Sequence, residues 1–320
     1  MKYDLVCIGM ALVDSIIRGF DPKPVSASGY LAESCTLNPG GEAVNEAVAA
    51  SKLGLKTGIL CALGSDAAGE IVLNELEKNG VDTSAVIRTG ATPVTTMFVR
   101  EDGTRKSITN QAHRLNFHPE KDHALFTDAR AVMLGSLFRA PFDDPAVIHA
   151  VVSATKQAGQ LVIADTKLPN FRILTLEDIR ESLPLIDYIT PNEDEARYFT
   201  GREEPEEMAD VFLDHGVKGV IIKLGGRGCL LKNRNTVIRL PACPVRAVDA
   251  TGAGDNFAAG LVSEILRGAG EKEALDFANA CGAICTTAAG AGTALQSREQ
   301  VLGFMRENEK NIPAEEKSPS

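Results

Sequence analysis

The sequence predicts an α/β fold: a mostly parallel central sheet with helices on both faces, plus a small β-sheet lid. Three observations carry that prediction. Short apolar, β-branched runs alternate with longer stretches of helical period, the pattern of βαβ units. Several of the runs are apolar almost throughout, as strands covered on both faces are. Two segments, 12–37 and 92–110, break the alternation and carry turn and hairpin signals instead.

Taken in order, the β-rich run Tyr3–Gly9 is the first expected strand. Leu12–Leu37 is rich in Gly, Ser and Pro with isolated apolar residues, and is assigned to the lid. Helix Glu42–Leu53 follows a Gly-Gly pair, then strand Thr57–Leu63 and helix Ala67–Asn79. Thr95–Arg100 and Arg105–Thr109 flank Glu101-Asp102-Gly103-Thr104, and an Asp-Gly pair between β-favouring runs signals a hairpin. Strands are then expected at Ala131–Gly135, Leu161–Asp165, Ile186–Thr190 and Gly219–Leu224. The helices between them are Pro145–Ala158, Glu193–Thr200 and Glu204–His215. A hairpin-like stretch, Cys229–Leu240, precedes three successive helices at Gly252–Gly268, Lys272–Ala288 and Ser297–Glu307. The expected organisation is one α/β domain (1–11, 38–91, 111–306), an inserted lid (12–37, 92–110) and a polar C-terminal tail (307–320).

Charge narrows the function. Among 320 residues, 33 Lys and Arg stand against 43 Asp and Glu, a net charge of −10. Nucleic acids and anionic membranes both want a basic footprint, so neither is an expected partner. The absence of Trp argues further against stacking platforms for single strands. The seven cysteines are scattered without a C-x-x-C pair, which speaks against zinc or a disulfide framework. His113, His118 and His123 are five apart, off any single helical face, and are assigned to the surface. No apolar run reaches membrane-spanning length, and the N-terminus has no leader-like segment. A cytoplasmic location is the expectation.

The sharpest chemical signal is Asp249-Ala250-Thr251-Gly252-Ala253-Gly254-Asp255 at the start of a helical run. Small residues at 252–254 let backbone N–H groups approach an anion, and the helix points its positive end there. Asp255 in the first turn either accepts a hydroxyl proton or caps the helix. Other loops gather at the carboxyl ends of expected strands. Gly40 and Gly41 permit close contact with a polyhydroxy ligand, with Asn45 one turn on and Asp14 placed to accept sugar hydroxyls. Thr190-Pro191-Asn192-Glu193-Asp194-Glu195 presents an amide and carboxylates suited to a hydrated magnesium ion, and Lys223-Leu224-Gly225-Gly226-Arg227-Gly228 forms a flexible turn. There is no Walker-type loop and no G-x-G-x-x-G after a strand.

These motifs, in this order across residues 2–306, resemble the ribokinase-like (phosphofructokinase-B type) carbohydrate kinases. Gly40-Gly41 with Asn45 is similar to that family's first signature, and Asp249–Asp255 to its second. Asn192 with Glu195 resembles its N-x-x-E motif, and Lys223, Gly225 and Gly228 its nucleotide-contacting turn. The resemblance implies a Rossmann-like domain with a β lid, and ATP-dependent transfer of a phosphoryl group to a sugar hydroxyl. It implies Asp255 as base and Gly252, Ala253 and Gly254 as anion hole. Asp14, Gly40, Gly41, Asn45, Asp165 and Lys167 would hold the sugar, Asn279 would lie near adenine, and magnesium would sit near Asn192 and Glu195. A potassium site resembles one formed by Asp249, Thr251 and the loop 288–294. Lys167 stands where many relatives have Asn, and with lid cations Arg100, Arg105 and Lys106 it raises an anionic substrate as an alternative to ATP phosphate or solvent. Nucleosides and a non-catalytic sugar-binding role are the other readings. Aromatics near the lid are few, Phe98 and Tyr30 among them, which disfavours base stacking. Exposed lid edges predict a homodimer through the lid.

Overall fold

The computed structural model describes residues 1–18, 32–99, 105–110, 117–122 and 126–311. The expectations for Tyr30, Arg100, His113, His123, the turn at 101–104 and the tail beyond 311 lie outside them.

An eight-stranded sheet forms the centre, with strand order β14-β13-β12-β11-β10-β9-β1-β4. Its strands are β1 (Tyr3–Ile8), β4 (Thr57–Leu60), β9 (Ala129–Leu137), β10 (Leu161–Thr166), β11 (Tyr188–Ile189), β12 (Gly219–Lys223), β13 (Cys229–Asn233) and β14 (Val237–Leu240). Pairing is parallel from β4 to β12; the hairpin β13–β14 adds antiparallel strands at one edge. The parallel strands are buried on both faces, which is why their sequences lack alternation. Among the described residues eight helices surround the sheet: α1 (Glu42–Lys52), α2 (Ala67–Lys78), α3 (Pro145–Gln157), α4 (Glu193–Thr200), α5 (Pro205–Asp214), α6 (Ala253–Leu266), α7 (Glu271–Cys285) and α8 (Arg298–Asn311).

Two apolar clusters lie on opposite faces. One packs α3 and α5 residues such as Val151 and Phe212 against Val132, Val162 and Val220. The other packs α1, α6 and α7 residues, among them Ala47, Val262 and Phe277, against Leu5, Met133 and Ile163. The helices start where local chemistry permits. Asp66 accepts from Gly69 N–H ahead of α2, and Asp144 accepts from Ala146 N–H ahead of α3, where Pro145 fills a position that needs no donor.

A separate four-stranded sheet has order β3-β2-β7-β8, built from β2 (Leu12–Arg18), β3 (Ser34–Gly40), β7 (Val94–Val99) and β8 (Arg105–Thr109). β3 pairs with β2 through to Gly40, three residues past the boundary read at 37. β2 runs parallel to β7, which sets Asp14 beside Thr95. Expected strand Thr57–Leu63 divides: Ala62–Leu63 (β5) leaves the main sheet to pair with Ile87–Arg88 (β6). Expected strand Ile186–Thr190 shrinks to two paired residues, and the last helix runs to Asn311, into the segment read as tail. All seven cysteines are free, with Cys281 and Cys285 buried on α7. No helix among the described residues is long and apolar enough to cross a membrane.

Candidate active site

The carboxyl ends of β10, β11 and β12, the N-termini of α1 and α6, and Leu12, Asp14 and Thr95 of the four-stranded sheet converge on one cleft of about 900 Å³. At its centre, α6 begins from Gly252, whose φ of 78° is left-handed. A Cβ there would collide with Ala291, so the position needs glycine on two counts. Gly252, Ala253 and Gly254 all line the cleft at the positive end of the helix. Ala253 N–H donates to Ala250 O at 3.2 Å, so this donor is already engaged.

Asp255 follows in the first turn and is 6% exposed. Asn45 Nδ2 donates to its Oδ2 at 2.6 Å, tying α1 to α6 at the floor of the cleft. Burial pushes the Asp255 carboxyl up to about 6; Glu42 and Asp165 add to this, while Lys167 and the Asn45 bond oppose it. Asp255 therefore does not cap the helix end by its side chain, and no side-chain cap is present there.

α1 starts from Gly41, with φ of 97°, packed so tightly against the Met10 carbonyl that any side chain would clash. Gly41 lines the cleft. Gly40 does not; it lies beneath Asp14, whose carboxylate a Cβ at Gly40 would strike. The sugar-side role read for Gly40 thus becomes making room for Asp14. Burial first, then Glu42, raise the Asp14 carboxyl to about 6.

The opposite wall is a lattice of charges. Lys223 Nζ donates to Asp165 Oδ1 at 2.6 Å, and Thr190 Oγ1 donates to the same oxygen at 2.7 Å. Burial works against the Lys223 charge, but Asp165 and Glu195 hold its pKa up. Asn192 and Glu195 form a capping box on α4: Glu195 N–H donates to Asn192 Oδ1 at 2.9 Å, and Asn192 N–H to Glu195 Oε2 at 3.0 Å. Thr166 Oγ1 also donates to Glu195 Oε2, at 2.8 Å, so one carboxylate oxygen is used structurally. Lys167 Nζ lies 3.1 Å from Glu42 Oε1. Burial would raise Glu42, but the Lys167 charge prevails and brings it down to about 2. Lys167 lines the cleft, yet its charge is already engaged by Glu42.

A sequence profile of the pfkB family carbohydrate kinases matches residues 2–298. The chain belongs to that family. The kinase is 29% identical to the ribokinase of Haemophilus influenzae, over 95% of this chain and 99% of that protein. It is also 29% identical to the 2-dehydro-3-deoxygluconokinase of Bacillus subtilis, over 95% of this chain and 96% of the relative. Arabidopsis thaliana ribokinase, solved with ribose and ATP, superimposes with a TM-score of 0.82 at 26% identity, covering 96% of this chain and 99% of that one.

In the kinase, Gly225, Gly228 and Asn279 line the far end of the cleft, where Ala242–Val245 and Ala283 form an apolar wall. Asn279 Nδ2 donates to Pro241 O at 2.7 Å, fixing that wall to α7. Asp249 lies behind the cleft: Oδ1 accepts from Thr251 N–H and Oγ1, and Oδ2 accepts from Gly290 N–H at 3.2 Å. Arg18 stands 3.8 Å from that Oδ2. Four contributors escaped sequence reasoning. Glu42 and Arg139 line the cleft, Glu46 lies beneath it, and the Ala242–Val245 wall has no periodicity or motif to mark it. The one available signal was an acidic pair, Glu42 and Glu46, on the buried side of a helix otherwise rich in Ala and Val.

Asp14 supplies a direct test of the sugar side. Asp14→Asn is expected to raise the acceptor KM by about 10–100-fold, the worth of a hydrogen bond to a charged group, with the ATP KM unchanged. Equal KM values for the acceptor in the two proteins would remove Asp14 from the sugar contacts.

Proposed function

We propose that this carbohydrate kinase transfers the γ-phosphoryl group of ATP to a hydroxyl of a small neutral sugar or sugar-like polyol, with Asp255 as general base. The observation that carries the proposal is a buried carboxylate in the first turn of α6, held by Asn45, beside the Gly252–Gly254 helix start. The acceptor hydroxyl would lie between Asp255, Asn45, Asp14 and Gly41. Asp255 takes its proton as the oxygen attacks phosphorus, the bond to the β-phosphate oxygen breaks, and ADP leaves. The N–H groups at the start of α6 stabilise charge on the phosphoryl group, Ala253 after giving up Ala250. Lys223 and the turn Gly225–Gly228 hold the nucleotide phosphates, with adenine against the Ala242–Val245 wall and Asn279.

Glu195 Oε1 has no hydrogen-bond partner among the described residues, so Asn192 and Glu195 fit a magnesium ion held through its water shell, which would offset phosphate charge. Both Asp249 oxygens already accept N–H bonds, so for potassium Asp249 would supply charge and the carbonyls of 288–294 the ligands. The four-stranded sheet carrying Asp14 and Thr95 acts as the lid over the sugar.

Neutral acceptors are favoured because Glu42 neutralises Lys167 and Asp14 adds a further carboxylate. A sugar acid is the second reading, supported by Arg139, which lines the cleft with its Nε donating to Leu168 O at 2.8 Å. An ATP-consumption panel of neutral sugars, sugar acids and nucleosides, run in potassium and in sodium buffers, tests these assignments. Neutral sugars are expected to give the highest kcat/KM; preference for acids would shift recognition to Arg139, and silence across the panel would sink the acceptor class. With the preferred sugar, kcat/KM should rise with pH and level off above about 6, since Asp255 must lose its proton to act. One unit below that midpoint the rate should be about tenfold lower. A profile flat from pH 5 to 8, as a carboxylate with an ordinary pKa of about 4 would give, would contradict the raised base.

A further inference from the structure

Glu46 is an acidic side chain at the site that the proposed reaction leaves idle. It is fully buried on α1, one residue past Asn45, and neither carboxyl oxygen has a hydrogen-bond partner among the described residues. One oxygen each from Glu46, Asp165 and Asp255 lie within 4.8 Å of one another. Gly135 of β9 makes the space, since a Cβ there would stand 2.9 Å from Glu46 Oε2. The groups facing Glu46 come from every side: Asp165 on β10, Asp255 on α6, Glu42 on α1, Lys223 on β12 and Cys7 on β1. Asp165 has Lys223 and Asp255 has Asn45; Glu46 has neither a cation nor a donor of its own.

A carboxylate sealed from water, without a donor and beside two like charges, takes up a proton. Burial, followed by Asp165, Asp255 and Glu42, holds the Glu46 carboxyl well above the ordinary range. A divalent cation is the other way to neutralise such a trio. Lys223 already places a positive charge against Asp165, which favours the proton.

We propose that Glu46 is a positioning residue: it remains a neutral carboxylic acid while Asp255 is ionised, and its O–H supports the Asp255 and Asp165 carboxylates, directly or through one bridging water. This rests on Asp255 being the base. Glu46 exchanges no proton with the substrate. As a neutral donor it favours the ionised form of Asp255, where a charged Glu46 would oppose it.

The test pairs kcat/KM–pH profiles with infrared spectra of the whole protein. Glu46→Met removes the donor and is expected to move the acid midpoint up by about one unit and lower kcat/KM near neutrality about tenfold. Glu46→Gln, a neutral donor of similar shape, should restore the midpoint to within about 0.3 unit of wild type. A midpoint that falls by about a unit in Glu46→Gln would show that Glu46 is ionised, and a Glu46→Met loss without any shift would show a structural role only; either overturns the proposal. Wild-type protein without nucleotide should show a protonated-carboxyl C=O band at about pH 8, above the range of ordinary carboxylates. That band should vanish in Glu46→Gln. Its absence from wild type, or its removal by magnesium chloride alone, overturns the proposal even where a variant does not fold. Turnover retained by Asp255→Asn would instead fault the base assignment, and the infrared result for Glu46 would stand apart from it.

Discussion

Asp255→Asn should lower kcat by about a thousandfold or more, near the upper range for loss of a general base. The amide keeps the shape of the carboxylate and can still meet Asn45, whose bond to Oδ2 is 2.6 Å, so the fold and ATP binding should persist. Stability makes the result easy to interpret. The folded pKa of Asp255 is raised to about 6, above its unfolded value. Its contribution to stability is therefore present below an unfolded pKa of about 4 and lost as pH rises through about 6. At pH 8 the wild-type protein bears the cost of a buried charge that the Asn variant lacks, so the variant should melt no lower than wild type. Inactivity together with an unchanged or higher melting temperature identifies lost chemistry. Turnover within tenfold of wild type, in a preparation free of other kinases, would remove Asp255 as the base.

Gly252→Ala is the second large effect. The residue sits at φ 78°, which costs an L side chain ~1–2 kcal/mol, and its new methyl would run into Ala291. Relief requires that the helix start or the 288–294 loop move, and either movement displaces the N–H groups of 252–254. Loss of one such donor typically costs about 100–1,000-fold in kcat, and that is the expected fall. The acceptor KM should change little, because Asp14, Gly41 and Asn45 belong to other elements. A kcat within threefold of wild type would mean that the start of α6 does not stabilise the transferred group.

Much of the architecture was legible because it rests on local chemistry. Short β-branched apolar runs such as Leu161–Ala164 read as strands covered on both faces, and the Gly-rich entries to α1 and α6 announce backbone geometry that other residues rarely adopt. Sequence spacing also located Asp255, Asn45, Asn192 and Lys223, which the fold gathers around one cleft. What sequence did not show was partnership. Lys167 looked like a free cation, yet its charge is met by Glu42, 125 positions away in the chain and 3.1 Å away in space. Asn192 looked like a metal contact, yet its side chain first serves to cap α4. Glu46 carried no motif at all, because its meaning comes from Asp165 on β10 and Asp255 on α6, both distant in sequence. Short pairings such as Tyr188–Ile189 were over-extended for a related reason: apolarity marks burial, while hydrogen-bond register is settled by neighbouring strands.

The placement of α1 also bears on how such an enzyme changes its diet over evolutionary time. Within six residues, Gly41 lines the cleft, Asn45 bonds Asp255 and Glu46 stands beside Asp255 and Asp165, so on the proposed roles a substitution there would alter selectivity and chemistry together. Thr95 on β7 and Arg139 after β9 also border the cleft, but neither is bonded to Asp255. Selection for a new acceptor has its least obstructed route through those two positions, where a change of taste need not disarm the catalyst.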